Sequence, residues 1–334
     1  MEKIKIAING FGRVGRAAFK VALLKKDVEV VAINDLTDAK TLAHLLQYDS
    51  VYGRFAKSVE SVDAAIVING IHYPVLAEKE PKNLPWGSLG VDVVLECTGR
   101  FTDQKGAATH LAAGAKKVII SAPVRGDEVP TMVLGVNQGT YNQETIINNA
   151  SCTTNCIAPV AKVVLQHWGI AKAMMSTTHS YTTDQNLQDG PNKDLRRARA
   201  AALNIVPTTT GAAIAVTKTI PELVGLFDGL AIRVPTPVVS LADFTFVLKK
   251  KTTVAEVNQV LEQEAAKKEW QGILSVTHDP VVSSDLIGDS HSAIIDLALT
   301  QIVDGDLLKI IAWYDNEWGY ANRLVEMAQV ISRS

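Results

Sequence analysis

The chain has 334 residues, a formal net charge of −2 and 47% hydrophobic residues, a size and composition that predict about two globular domains. The near-neutral balance excludes a broad electrostatic attraction to nucleic acid or to an anionic membrane, so an anionic substrate has to be held by a local cluster. Three cysteines, Cys97, Cys152 and Cys156, are too few for a disulfide-stapled secreted scaffold, and no apolar run reaches the ~18 residues of a membrane span.

Residues 3–9 alternate and end in glycine, which predicts a strand rather than a signal peptide and, with the sparse cysteines, a cytoplasmic setting. Residues 13–26 carry Val14, Ala17, Ala18, Val21 and Leu24 at helical spacing. A second strand follows over 28–34, a helix near 38–47, and buried strands over 91–96 and 117–121. Strands alternating with helices imply a parallel sheet covered on both faces. Beyond residue 150 the β-branched and apolar runs at 171–178, 229–235 and 239–249, with a further strand at 307–314, predict an α+β domain with a mostly antiparallel or mixed sheet. The tail from Asn316 to Ser332 is periodic enough for a closing helix. No repeat or flexible linker interrupts the chain.

Gly10-Phe11-Gly12-Arg13-Val14-Gly15 is a G-x-G-x-x-G segment placed between a strand and a helix. In that setting the first glycine permits a tight turn, the second a close approach of backbone to a pyrophosphate, and the third close helix–strand packing. The helix N-terminus then offers N–H groups to phosphate. The second strand ends at Asp35, 25 residues after Gly10, where a carboxylate accepts from a ribose 2′-hydroxyl and repels a 2′-phosphate. The expected cofactor is therefore NAD. A solvated aspartate in an ordinary turn is the bland alternative. Thr98 and Gly99 end a later strand, where open α/β sheets bind ligands; Cys97 before them reads as a small buried hydrophobe.

Ser151-Cys152-Thr153-Thr154-Asn155-Cys156 is the most informative segment. Ser151 suits an N-cap, and a helix is expected from Cys152 to Trp168, bent at Pro159 and stopped by Gly169. Cys152 in its first turn is expected to have a lowered thiol pKa, whereas Cys156, one turn further in, reads as packed. Cys-x-x-x-Cys without a second pair does not fit a zinc site, and no metal is expected. Among the histidines, His44 and His110 fall in predicted helices and His167 near a helix C-terminus. His179 differs, because it ends a strand and opens a polar segment, His179-Ser180-Tyr181-Thr182.

With Asn34-Asp35, Pro207-Thr208-Thr209-Thr210-Gly211-Ala212-Ala213, Arg233-Val234-Pro235-Thr236-Pro237 and Trp313-Tyr314-Asp315-Asn316-Glu317, these segments resemble glyceraldehyde-3-phosphate dehydrogenases, in family order from residue 4 to residue 320. The resemblance implies a Rossmann-type NAD-binding domain over 1–150, completed by a C-terminal helix at 316–334, and a catalytic domain over 151–315. It implies Cys152 as nucleophile and His179 as its base. Thr182 and Arg233 would hold the phosphate of glyceraldehyde 3-phosphate, and Ser151, Thr153, Arg197, Thr210 and Gly211 the inorganic phosphate. NAD would be surrounded by Gly10, Phe11, Gly12, Arg13, Val14, Asp35, Lys79, Thr98, Gly99 and Ser121, with Asn316 orienting the nicotinamide and Tyr320 beside it. A homotetramer is implied, with the segment near 181–203 reaching a neighbouring subunit's cofactor, and no nucleic-acid or membrane partner.

The chain departs from the family where arginine is common and Lys79 stands. Asp189-Gly190-Pro191 resembles one glycolytic subgroup and Asp194-Leu195-Arg196-Arg197 another. The implied reaction joins a hemithioacetal and a thioester on Cys152 to phosphate, giving 1,3-bisphosphoglycerate. Two readings compete with it. Erythrose-4-phosphate dehydrogenases hydrolyse their thioester, but tend to lose the Ser-Tyr-Thr and Thr-Thr-Thr-Gly stretches that are intact here. A dinucleotide-binding protein without turnover would not need Cys152, His179 and two phosphate clusters.

Overall fold

The computed structural model describes residues 2–124 and 126–333. The chain divides into two units: Met1–Met132, Gly139–Ala150 and Ala321–Ser334 form one, Val133–Gln138 and Ser151–Tyr320 the other.

The first unit is built on an eight-stranded sheet. Six parallel strands run in the order Ile146–Asn148, Lys117–Ile120, Val93–Glu96, Ile4–Asn9, Val28–Asn34 and Ile71–Leu76. Val93–Glu96 is buried throughout, as a parallel strand covered on both faces must be. Two antiparallel strands, Ala65–Ile68 and Val59–Val62, extend the edge. The helix Arg13–Ala22 ends four residues short of the apolar pattern. Beyond it the chain tightens, with the Leu24 amide bonding Val21 O, to enter the strand at Val28. Leu24 therefore points outward, 67% exposed. Asp38 caps the helix Ala39–Gln47 by accepting from the Thr41 amide at 2.9 Å.

The second unit carries a mixed sheet in the order Val206–Thr208, Phe227–Val234, Ile170–Ser180, Ser240–Leu248, Leu307–Tyr314, Ala293–Asp296 and Leu274–Thr277. Ile170–Ser180 pairs in parallel with Phe227–Val234 and antiparallel with Ser240–Leu248. Ser240–Leu248 alternates strictly between buried and half-buried positions, the period-2 signature of a strand with one face on the core. On that face the Phe244 and Phe246 rings stack at 5.4 Å. The helix Cys152–Trp168 continues through Pro159 and has an almost wholly buried central stretch.

Candidate active site

In the first unit, a cavity of 290 Å³ opens at the carboxyl ends of the parallel strands, lined by Gly10, Gly12, Asp35, Lys79, Thr98 and their neighbours. Gly10 has φ +91°, and a Cβ there would lie 2.7 Å from the Thr98 amide nitrogen. A Cβ on Gly15 would lie 2.1 Å from Gly10 O. Gly12 is the opposite case: a Cβ would meet nothing within 4 Å, so its face is open to an incoming group. The Asp35 carboxylate accepts from the Phe11 amide at 2.7 Å and the Thr37 amide at 2.9 Å. It is thereby fixed at the strand end, and its other lone pairs suit a ribose diol.

The remaining residues of this group divide by what they can offer. The Phe11 ring is buried against Phe19 at 5.5 Å, so only its backbone can face a ligand. Arg13 pairs with Asp49 at 2.7 Å and lies over the Tyr52 ring. Val14 is half-buried, and Gly99, with φ +69°, is exposed. The Ser121 amide donates to Glu96 O at 3.0 Å. Lys79 is exposed on the cavity rim. Burial pushes the Cys97 thiol up to about 12, in keeping with a packing role. The open Gly12 face, the helix terminus beside it and the anchored Asp35 carboxylate fit a dinucleotide.

In the second unit the Ser151 hydroxyl accepts from the Thr154 amide at 3.1 Å, so the helix Cys152–Trp168 starts as its sequence predicts. The strand Ile170–Ser180 delivers His179, and the parallel register sets His179 directly beside Arg233. Cys152 Sγ lies 3.6 Å from His179 Nε2. On the other side of the ring, His179 Nδ1 is 2.7 Å from Ser180 O, which fixes the tautomer with the proton on Nδ1 and the Nε2 lone pair toward sulfur. Arg233 Nη1 is 2.9 Å from the same Nδ1, but two donors cannot share a bond. Arg233 donates instead to Ser180 O at 3.0 Å and Thr182 Oγ1 at 3.2 Å.

The expected lowering of the Cys152 thiol pKa is reversed in the structure. Burial pushes the thiol up, and the Arg233 guanidinium and the Thr153 hydroxyl and amide offset this only in part. Burial first, then Arg233, depresses His179 to about 3. Both groups thus rest neutral at pH 7, a thiol facing the unprotonated Nε2 of the imidazole. Cys156 is fully buried, with its thiol raised well above the usual value.

Arg197 donates from Nε to Thr208 Oγ1 at 3.0 Å and from Nη2 to Thr209 O at 3.2 Å. Arg199 pairs with Asp189 at 2.8 Å on an exposed face. Thr210 Oγ1 accepts from the Ala212 amide at 3.2 Å, and Gly211 caps the helix Ala212–Thr219. The Thr153 hydroxyl lies 3.0 Å from Tyr314 OH. Asn316 is buried and accepts from the Ser240 hydroxyl at 2.9 Å, and Tyr320 is buried.

The NAD-binding-domain model of glyceraldehyde 3-phosphate dehydrogenase matches residues 4–104, and the C-terminal-domain model of the same enzyme matches residues 151–316. The chain is 54% identical over 331 residues to "Glyceraldehyde-3-phosphate dehydrogenase" of Geobacillus stearothermophilus, covering 98% of each chain. The protein of the same name in Borreliella burgdorferi is 52% identical over 333 residues, covering 98% of this chain and 99% of that one. The chain belongs to the glyceraldehyde-3-phosphate dehydrogenase family. It is an NAD-dependent oxidoreductase that oxidises and phosphorylates glyceraldehyde 3-phosphate.

The structure gives contacts to residues for which the sequence alone assigns no role. Tyr314 OH bonds Thr153 and, at 2.8 Å, Thr177, while its ring meets His179 edge-on at 6.0 Å. In the NAD-binding unit, Asn9 donates to Glu96 at 2.6 Å and accepts from Asn34 at 2.7 Å. Asn34 in turn accepts from the Glu78 amide at 2.9 Å. His110, which the sequence suggests only as a surface or packing residue, is fully buried, with Nε2 3.0 Å from Glu96. Its Nδ1 accepts from Trp86 at 3.0 Å. A readable signal existed: Asn9, Asn34 and Glu96 each terminate an apolar strand of this family's cofactor sheet.

Proposed function

We propose that Cys152 is the nucleophile and His179 its base. The observation that carries this is the 3.6 Å contact between Sγ and an unprotonated Nε2 whose ring is fixed by Ser180 O. The thiol proton passes to Nε2 as sulfur adds to the aldehyde carbon, and on to the new alkoxide, giving the hemithioacetal. Nε2 takes the hydroxyl proton back as the carbon is oxidised. When bound, NAD accepts the hydride that turns the hemithioacetal into a thioester. Phosphate then adds to the thioester carbonyl, and sulfur leaves as a thiolate beside protonated His179. A thioester suits this sequence because it retains the free energy of oxidation for the acyl phosphate, and a covalent intermediate divides one hard step into two easier ones.

Thr182 and Arg233 would hold the substrate's own phosphate. Ser151, Thr153, Arg197, Thr210 and Gly211 would hold the inorganic one. Among the described residues, Arg233 Nε is buried with no partner, as a group meant for a ligand anion would be. The Thr153 hydroxyl is engaged by Tyr314, so Thr153 would contribute its first-turn amide. Gly10, Gly12, Asp35, Thr98 and their neighbours would bind NAD, Lys79 would flank its adenine, and Asn316 and Tyr320 would flank the nicotinamide.

A homotetramer is the favoured assembly. Leu187, Leu195 and Leu203, in the segment near 181–203, are each at least 80% exposed, and so much exposed leucine calls for a covering surface. A cytoplasmic location is supported by the free cysteines. Among the described residues no helix is long and apolar enough to cross a membrane.

The phosphate roles are tested by steady-state kinetics. Arg233→Ala is expected to raise KM for the aldehyde and Arg197→Ala to raise it for inorganic phosphate, each by about ten- to a hundredfold for one charge-assisted hydrogen bond. If neither KM moves, the two anion assignments fail.

A further inference from the structure

Two carboxylates of the chain itself reach Arg197: Asp194, 3.5 Å from its Nε, and Asp184, which also engages Thr182. The Thr182 hydroxyl donates to Asp184 Oδ1, and Arg197 Nη1 donates to Asp184 Oδ2. Arg233 is linked to the same carboxylate through Thr182, whose Oγ1 accepts from Nη1 at 3.2 Å. Asp184 therefore meets both proposed anion subsites, at Arg197 of one and at Thr182 of the other. Its backbone is held separately, by Asn192 Nδ2 donating to Asp184 O at 2.9 Å. The carboxylate can thus move without the main chain following. Burial pushes the Asp184 carboxyl up, but the Thr182 hydroxyl and the Arg233 and Arg197 guanidiniums more than offset this and hold it below its usual range. At neutral pH it is an anion.

We infer that Asp184 is an internal counter-anion, which a phosphate has to displace from Arg197 and Thr182 in order to bind. The inference rests on the proposed phosphate roles of those two residues and adds a competitor to them. A carboxylate brings one charge and two acceptor oxygens. A phosphate dianion brings two charges and three oxygens, so it gains from the exchange. A monoanionic carboxylate ligand offers only what Asp184 already gives, and gains little. The residue weakens phosphate binding and eases departure of phosphorylated product. It also screens two guanidiniums from one another in the free protein, and its negative charge partly counters Arg233 at the His179 ring.

The test is calorimetric titration of the full-length protein with inorganic phosphate and, separately, with acetate at low ionic strength. Asp184→Asn keeps the shape and removes the charge. It is expected to bind phosphate about three- to tenfold more tightly, a range set by the partial exposure of the pair. Acetate binding is expected to tighten by a similar factor, because both ligands have to displace the same carboxylate. Asp184→Ala, which removes the acceptor as well, is expected to shift both in the same direction and serves if the asparagine variant does not fold. Unchanged or weaker phosphate binding in a folded variant would mean that Asp184 only props the arginines in place, and would overturn the inference. Arg197→Ala, measured alongside, must weaken phosphate binding whether or not Asp184 competes. If it does not, the phosphate assignment itself is lost, an outcome distinct from failure of the competition.

Discussion

His179→Asn lowers the rate of NADH release in the first turnover by about 10²–10⁴, the usual contribution of a positioned base. Substrate and NAD affinities stay close to those of the unaltered chain, because the arginines, Thr182 and the cofactor residues are untouched. The loss is expected to be large because burial keeps the Cys152 thiol protonated, so that sulfur depends on a nearby acceptor. Rapid-mixing measurement of the first turnover separates this from a binding defect, and an unchanged rate would remove His179 from the chemistry. The same residue predicts an acid limb in stability. Its folded pKa, about 3, lies below the unfolded value of 6.5. The folded chain therefore binds fewer protons than the unfolded one between those values. Stability is unaffected above pH 6.5 and falls as the pH drops below it, by up to about 1.4 kcal/mol per pH unit. Denaturant titration across that window should show a shallower fall in His179→Asn.

A second large effect divides two glycines of one motif. Gly15→Ala places a Cβ 2.1 Å from Gly10 O and 3.3 Å from Ile8 Cγ2. The first of these is backbone and cannot rotate away. The expected cost is at the upper end of the overpacking range or beyond it, about 3 kcal/mol, read as a lowered denaturant midpoint. Gly12→Ala has open space in the protein alone, so its stability should change little, by roughly the few tenths of a kcal/mol of an unstrained site. NAD affinity should nevertheless fall markedly, because the added methyl stands where the cofactor's phosphates approach. A Gly12→Ala chain that binds NAD normally would contradict the placement of the dinucleotide on that face.

The legible parts of the fold are those where local pattern and tertiary environment agree. Val28–Asn34 and Leu307–Tyr314 are buried strands with β-branched or apolar runs, and their bounds are those of the sequence pattern. The three short strands over 59–76 were not anticipated. Their pattern is short and mixed, with Pro74 inside the last, and the pairing that forms them lies along the sheet edge. The helix Val254–Ala265 carries an equally legible start in its Thr253–Glu256 capping box. In the site, residue types and strand ends pointed to Cys152 and His179. The direction of the thiol shift was not readable, because it is set by burial and by Arg233, a residue distant in sequence, whereas the helix terminus is a local feature. Tyr314 and Asp184 escaped for the same reason: their partners are set by sheet register and loop path, not by spacing.

The most direct test of the covalent mechanism is the yield of NADH in phosphate-free buffer, with NAD and glyceraldehyde 3-phosphate in excess. A thioester on Cys152 with no acceptor predicts a rapid burst approaching one NADH per active site, followed by near arrest. Phosphate or arsenate should restore turnover, and Cys152→Ala should give no burst. Steady NADH production without phosphate would mean that water resolves the intermediate, and turnover by Cys152→Ala would mean that no thioester forms there; either result contradicts the mechanism.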